Sequence, residues 1–235
     1  MLVERSKRGI ISHSRQVYGT SIEGNPLTVW LPETGRPEIL VLASIHGDEA
    51  ETTVVLSDAL RSIRAEDLKN AVILCGNVDG LANGTRGNAQ GVDLNRNFPT
   101  DNWSPEPVCY KSRAREPQDI ELSPGAAPAS EPETKALLAL LERMKPRAVV
   151  TLHSALACID DADGSVLGRQ LAQKSGLPLE VGVGYPTPGS FGSWASEQNL
   201  NLVTYEFEAA SPYDLKERHS PVLIDVLTGQ VDLKE

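Results

Sequence analysis

A histidine and a glutamate lie three positions apart in the segment SIHGDEAET, where an apolar run gives way to a helical pattern. His46 and Glu49 can bind zinc, but the pair alone is weak evidence, because it also suits a turn followed by a helix N-terminus. A second histidine, His153, follows another apolar run. Catalytic zinc commonly takes two histidines and one glutamate and leaves a position for water. These residues therefore predict a site for one zinc ion.

A further carboxylate lies near the end of the run NLVTYEFE. Beside a metal site, Glu206 is suited to act as a general base that takes a proton from an attacking water. Glu208 competes for this role, because residues two apart on a strand face the same way. A solvated carboxylate at the edge of a sheet is the simpler interpretation of either residue.

The Gly- and Asn-rich stretch GTRGNAQGVDLNRNFP contributes Arg86, Asn95 and Arg96. Arginine stays charged at physiological pH, so it can bind a substrate carboxylate in a bidentate manner or stabilise the oxyanion of a tetrahedral intermediate. Most arginines in loops are only solvated. The prediction of a binding role depends on both arginines and the asparagine sharing one short region.

The hydrophobic pattern predicts the elements that must position these residues. A β-hairpin is predicted around the turn signals of residues 23–26. The runs EILVLASI, AVILCGNVD, PRAVVTLHS and NLVTYEFE have strand length and are apolar on both faces, and helical segments alternate with them. This pattern predicts an α/β fold, a single domain over residues 1–235, with a mixed, mainly parallel sheet flanked by helices on both faces. Ligands of such sheets bind beyond the carboxyl ends of the strands, where the polar residues lie.

Two local predictions concern the segment before the run PRAVVTLHS. Ser130 and Glu133 have the spacing of a capping box for the helix SEPETKALLALLERMK. Residues 100–129 are rich in Pro, Ser and charge and show no period, which predicts a long loop that is functional or mobile.

Composition argues against several classes of protein. A net charge of −10 with dispersed basic residues does not suit a nucleic-acid partner. No run is long and apolar enough to span a bilayer, and the N-terminus does not resemble a secretory signal, so we expect a cytoplasmic protein with no membrane partner. Three cysteines without a CxxC pair favour free thiols. The sequence leaves open whether the protein forms a homodimer.

With these residues assembled, the chain resembles the zinc carboxypeptidase family. The matching motifs, in family order, are YGTSIEGNPL, HGDE, GTRGN with GVDLNRNFP, SEPET, TLHS and TYEF. The resemblance implies that the three predicted ligands hold zinc and that Glu206 is the general base. It also implies that Asn95 and Arg96 clamp the C-terminal carboxylate of a small peptide substrate, and that Arg86 polarises the scissile carbonyl.

Within that family, the stretches VGYPTPGSFGSWA and LACIDD resemble the murein tripeptide amidase branch. The resemblance implies a cytoplasmic enzyme of cell-wall peptide recycling that hydrolyses the γ-D-glutamyl-meso-diaminopimelate amide of L-Ala-γ-D-Glu-meso-diaminopimelate. Tyr185 falls at the position of the family's mobile active-site tyrosine, with a packed loop aromatic as the alternative. Asp160 and Asp161 could meet the side-chain ammonium of diaminopimelate, with helix-capping or turn roles as alternatives. Asp48 stands where pancreatic members have an arginine.

Two other functions stay open. The GDE form of the metal motif also resembles succinylglutamate desuccinylases and aspartoacylases, which are zinc deacylases of N-acyl amino acids. From a different class, the chain could be a non-catalytic peptide-binding module that kept the carboxylate clamp. The presence of Glu206 beside three metal ligands argues against this module, because a binding protein has no use for a base there.

Overall fold

The computed structural model describes residues 2, 4, 8–111, 117–181 and 187–234. Its strands are β1 (Ser14–Thr20), β2 (Pro26–Leu31), β3 (Ile39–Leu42), β4 (Ala71–Ile73), β5 (Val108–Lys111), β6 (Asp119–Leu122), β7 (Ala148–Ser154), β8 (Cys158–Asp160), β9 (Leu179–Glu180) and β10 (Asn201–Phe207). Its α-helices are α1 (Ala50–Arg61), α2 (Val78–Asn83), α3 (Pro132–Met144), α4 (Val166–Ser175), α5 (Phe191–Glu197) and α6 (Pro212–Leu227). Short 3₁₀ turns lie at Ala65–Asp67 and Leu94–Arg96.

One large sheet organises the described residues. Its strand order is β1-β2-β4-β3-β7-β10-β8-β9. The central strands β4, β3, β7 and β10 run parallel to one another. Antiparallel pairs occur towards the edges, between β1 and β2, β2 and β4, and β8 and β10. The predicted α/β fold with a mixed, mainly parallel sheet is confirmed.

The central strands are apolar throughout because both faces of the sheet are covered. Successive side chains of a strand point to opposite faces. Ile39 and Val41 of β3 pack in a core that includes residues of α1, α4 and α6. Leu40 and Leu42 pack in a second core, with residues of α3 and α5. Helices therefore flank both faces, as predicted from the unbroken apolar runs.

The predicted hairpin is formed by β1 and β2, and a buried carboxylate anchors its turn. Gly24 has a φ of 84°, which glycine adopts without strain. Asp79 of α2 accepts hydrogen bonds from Ser21 Oγ at 2.7 Å and Asn25 Nδ2 at 2.8 Å. The hairpin is thus fixed to the helix that follows β4.

The segment 100–129 differs from the predicted loop. It contains β5 and β6, which pair antiparallel from Val108 with Leu122 to Lys111 with Asp119. Most residues of both strands are exposed or half-buried. Because neither strand covers a core, neither has the apolar alternation that reveals a strand in a sequence.

The capping box predicted for α3 is wrong. The N-cap is Glu131, and it makes no side-chain capping bond. Ser130 Oγ instead donates to Glu131 Oε1 at 2.6 Å and accepts from Asn97 Nδ2 at 3.0 Å. Glu133 Oε1 accepts from the Ile22 N–H at 3.1 Å. Both side chains form hydrogen bonds with other groups, so the capping box does not form.

Two predictions from composition can be compared with the described residues. Cys75, Cys109 and Cys158 are all free thiols, as predicted. No helix in the described part of the chain is both long and apolar enough to cross a membrane.

Candidate metal centre and active site

Polar residues that follow the central strands meet at one edge of the sheet. His46 lies in the loop after β3, and Glu49 directly precedes α1. His153 lies near the end of β7 and pairs in register with Glu206 of β10. Because parallel strands end at the same edge, the order of the sheet brings these side chains together.

The predicted metal ligands form a compact, buried group. Their candidate ligand atoms all lie within 4.8 Å of one another. His46 Nδ1 lies 3.0 Å from Glu49 Oε1, and His153 Nδ1 lies 3.1 Å from Glu49 Oε2. The relative exposures of His46, Glu49 and His153 are 2%, 2% and 5%. One carboxylate therefore faces two imidazoles out of contact with solvent.

This group fits a zinc ion. Glu49 Oε2 is buried and accepts no well-directed hydrogen bond from the described residues, an arrangement that is costly unless another group satisfies the oxygen. Burial opposes ionisation, but His46 and His153 hold the pKa of Glu49 well below its usual range. Two imidazole nitrogens and an ionised carboxylate are a donor set of catalytic zinc.

Asp93 supports the metal centre, a role that the sequence did not predict. Its Oδ1 lies 3.3 Å from His46 Nε2, and its Oδ2 lies 3.6 Å from Arg86 Nε. Although burial opposes its ionisation, His46 and Arg86 hold the pKa of Asp93 well below its usual range. A carboxylate behind a metal-binding imidazole fixes the orientation and tautomer of the ring. The available signal was its place in the motif GVDLNRNFP, but only the fold shows that it faces His46.

Arg86 lies against the metal ligands. Its Nη1 donates to Glu49 Oε1 at 3.1 Å. On another side, its guanidinium carbon lies 4.5 Å from the ring centroid of Tyr110. Tyr110 belongs to β5, in the segment predicted as a loop, and its hydroxyl donates to Asp48 Oδ2. The position of Arg86 thus depends on a hairpin that the sequence pattern did not reveal.

The 3₁₀ turn Leu94–Arg96 presents Asn95 and Arg96 to the site. Asn95 Oδ1 accepts from the Phe191 N–H at 2.9 Å, which ties the turn to the start of α5. Arg96 Nη1 donates to the Asn95 carbonyl at 2.7 Å. Arg96 Nε is buried and has no hydrogen-bond acceptor among the described residues. Such a guanidinium is suited to a substrate carboxylate.

The structure separates the two candidate bases. Glu206 is 7% exposed, and burial raises its pKa despite the opposing effect of His153. The Leu156 N–H donates to its Oε2 at 3.4 Å. Glu208 lies just beyond β10 and instead contacts His219 Nε2 at 2.8 Å. The geometry therefore favours Glu206, because Glu208 is engaged with α6.

A cavity of about 400 Å³ opens over this centre, and the described residues that line it include the three candidate metal ligands, Arg86, Asn95, Arg96, Asp160 and Glu206. Tyr185 lies outside the described residues. Asp161 does not reach the cavity: its Oδ2 accepts from Ser165 N and Ser165 Oγ, both at 2.7 Å. These contacts match the turn role that was the alternative for Asp161, which braces the turn before α4.

The fold and the site together define a metal-dependent hydrolase of the α/β class. A buried His-Glu-His group lies beside an enclosed carboxylate and two arginines, at the edge of a sheet where such proteins bind ligands. More particularly, the chain belongs to the zinc carboxypeptidase family, whose model matches residues 11–159. The resemblance predicted from the motifs is confirmed, and this protein is a hydrolase whose cofactor is zinc.

Relatives match almost the whole chain. Murein peptide amidase A of Escherichia coli strain K12 is 44% identical over 226 residues, covering 95% of this chain and 93% of the relative. Murein peptide amidase A of Vibrio campbellii is 38% identical over 234 residues, covering 99% and 94%. The crystal structure of murein-tripeptide amidase MpaA from Escherichia coli O157 superposes with a TM-score of 0.91 at 42% identity, covering 97% of both chains. The predicted similarity to murein peptide amidases is confirmed.

Proposed function

We propose that this protein hydrolyses the amide bond between γ-D-glutamate and meso-diaminopimelate in the tripeptide L-Ala-γ-D-Glu-meso-diaminopimelate. The observation that carries the proposal is a single cavity. It joins the His-Glu-His group, the enclosed Glu206 and the Arg96 guanidinium, in a chain similar to murein peptide amidases over nearly its full length. The metal group and base suit amide hydrolysis, and the guanidinium suits a substrate that ends in a carboxylate.

His46, Glu49 and His153 are the proposed ligands of one zinc ion. When bound, zinc supplies Lewis-acid polarisation of water and of the scissile carbonyl. Asp93 holds the His46 ring from behind, and the Asp93 carboxylate stays ionised because His46 and Arg86 lie beside it. The chain thus provides both the donor atoms and the groups that orient them.

Arg96 and Asn95 are the proposed clamp for the terminal carboxylate of diaminopimelate. Asn95 uses its side-chain oxygen on the Phe191 N–H, which leaves its amide N–H groups for the substrate. Arg96 adds charge-assisted hydrogen bonds. Holding this end of the substrate fixes how far the scissile amide lies from Glu206.

Glu206 is the proposed general base and acid. It takes a proton from the water that attacks the amide carbon and returns the proton to the nitrogen of diaminopimelate as the C–N bond breaks. Arg86 donates to the oxyanion of the tetrahedral intermediate. The products are L-Ala-D-Glu, with its γ-carboxylate restored, and free diaminopimelate.

Asp160 is the proposed partner of the side-chain ammonium of diaminopimelate. It lies at the end of β8, next to the strand that carries Glu206, and it lines the same cavity. A carboxyl group at the cavity wall suits a cationic group of the substrate. Tyr185 remains a predicted substrate contact.

We infer that residues 1–235 form one catalytic domain, since relatives match nearly the whole chain. We further infer a cytoplasmic role in the recycling of cell-wall peptides, because the proposed substrate is a small fragment of murein with free charged ends.

Product analysis by mass spectrometry tests the proposal. The zinc-loaded protein is incubated separately with the diaminopimelate tripeptide, its lysine and norleucine analogues, and N-acyl amino acids. We expect release of free diaminopimelate and poor cleavage of the norleucine analogue, which lacks the side-chain charges. Deacylation of an N-acyl amino acid without cleavage of the tripeptide would show instead that the protein is a zinc deacylase of N-acyl amino acids. If none of these compounds were cleaved although zinc is bound, the protein would be a non-catalytic binding module.

A further inference from the structure

Tyr110 lies between the active-site cavity and a second cavity. The second cavity has a volume of about 920 Å³ and is lined by the loop after α2 and by residues of β6. Tyr110 and Arg86 line both cavities. The aromatic ring and the guanidinium therefore form part of the wall that separates them.

The contacts of Arg86 come from different parts of the chain. Glu49 Oε1 and Asp93 Oδ2 approach its Nη1 and Nε at 3.1 and 3.6 Å, which draws the guanidinium towards the metal ligands. The Tyr110 ring, centred 4.5 Å from the guanidinium carbon, covers its face. The ring over the face of the guanidinium adds a cation–π contact to the two ionic contacts, and this contact favours one orientation of the group.

Tyr110 is in turn held by the loop after β3. Its hydroxyl donates to Asp48, which lies between the proposed zinc ligands His46 and Glu49 in sequence. A single side chain therefore connects the β5–β6 hairpin to the loop after β3 and to Arg86.

We propose that Tyr110 is a positioning residue for Arg86, and that Asp48 orients Tyr110 for this task. The ring holds the guanidinium in the direction needed for the oxyanion, so its loss slows turnover more than it weakens substrate binding. This inference rests on the proposed role of Arg86 in hydrolysis.

Steady-state kinetics of Tyr110 variants test the proposal. Tyr110→Ala is expected to lower kcat about 2- to 30-fold, the range of a cation–π contact, while KM and zinc content stay near the wild-type values. Tyr110→Phe keeps the ring but loses the hydrogen bond to Asp48, so its kcat is expected to lie between those of the wild type and Tyr110→Ala. Cys109→Ala is the matched control, because Cys109 is an exposed neighbour on β5 and its side chain points to the opposite face of the strand.

A double-mutant cycle separates positioning from other roles. In an Arg86→Ala background, Tyr110→Ala is expected to lower kcat no further, because Tyr110 acts through Arg86. If Tyr110→Ala lowered kcat by the same factor in the Arg86→Ala background as in the wild type, the proposal would be overturned, and Tyr110 would be assigned a direct substrate contact. A loss of zinc or a lowered unfolding midpoint in Tyr110→Ala would overturn it in favour of a structural role. The cycle can be measured on any substrate that the wild-type protein cleaves, so failure of the tripeptide assay is a separate outcome.

Discussion

At the scale of single residues, Glu49 connects the charged groups of the site. It faces both imidazoles and accepts a hydrogen bond from Arg86. The sequence predicted the groups that could bind metal or substrate, because histidine, glutamate and arginine after apolar strands are recognisable by type. It did not predict Asp93 or Tyr110, since their importance comes from which side chains they touch.

Substitution of Asp93 tests whether its contact with His46 strengthens zinc binding. Asp93→Asn is expected to weaken zinc binding about 10- to 100-fold, because the neutral amide holds the His46 ring less firmly. Chelator competition measures the affinity. Asp101→Asn removes an exposed carboxylate and should bind zinc as the wild type does. Equal affinities in all three proteins would contradict the supporting role of Asp93.

Paired substitutions test which of two nearby glutamates, Glu206 in β10 or Glu208 just beyond it, is the general base. Glu206→Gln should keep zinc and lose at least about 100-fold in kcat, because an amide cannot accept the proton. Glu208→Gln is the matched control and should keep turnover, although the loss of its contact with His219 lowers stability. Zinc analysis and steady-state kinetics provide the readouts. Normal turnover in Glu206→Gln would show that another group is the base.

At the scale of elements, strands and helices that cover the core were predictable, whereas the exposed hairpin was not. The run EILVLASI is apolar because β3 is buried on both faces, so burial and sequence carry the same information. The strands β5 and β6 bury little, so their sequences need no period. The capping box failed for a related reason, because distant partners competed for its side chains.

Asn97 ties the long segment 100–129 to the 3₁₀ turn Leu94–Arg96. Its Nδ2 donates to the Pro124 and Ala127 carbonyls, and its Oδ1 accepts from the Glu131 N–H. Asn97→Ala should lower the free energy of unfolding by about 1–3 kcal/mol, because it leaves buried backbone groups unsatisfied.

Urea unfolding measures this effect, and Asn83→Ala is the control. Asn83 is exposed at the end of α2, so its loss should change the free energy of unfolding by less than about 0.5 kcal/mol. Equal stability of the Asn97 and Asn83 variants would show that the segment is held by other contacts.

At the scale of the whole molecule, the parallel strands explain why residues distant in sequence form one site. His46, His153 and Glu206 follow or end strands that are neighbours in the sheet order. The sequence identified the strands and their polar ends, but the order of the strands came from the fold. The position of Asp160 at the cavity, and of Asp161 away from it, likewise required the structure.

Two buried histidines should each contribute a loss of stability as the solution becomes mildly acidic. Burial lowers the pKa of His13 and His219, which lie outside the proposed metal centre. The unfolded chain therefore takes up protons near pH 6.5 while the folded protein does not, so folding weakens as the pH falls through that value.

A His13→Gln variant should show a smaller decrease in the free energy of unfolding between pH 7.5 and pH 5.5 than the wild type, with a slope difference of up to about 1.4 kcal/mol per pH unit. The proposed metal site is the same in both proteins, so its proton uptake cancels in the comparison. Parallel pH profiles from urea unfolding would contradict a contribution from His13.

A zinc titration of the metal-free protein, with release of diaminopimelate from the tripeptide as the readout, tests whether this protein is a zinc-dependent amidase. We expect no release before zinc is added, a linear rise as zinc is added, and saturation at one zinc per chain, as one His-Glu-His group requires. His153→Ala should shift saturation to much higher zinc concentrations. Full release in the absence of zinc, or none after one equivalent is bound, would contradict the assignment of this protein as a zinc-dependent amidase.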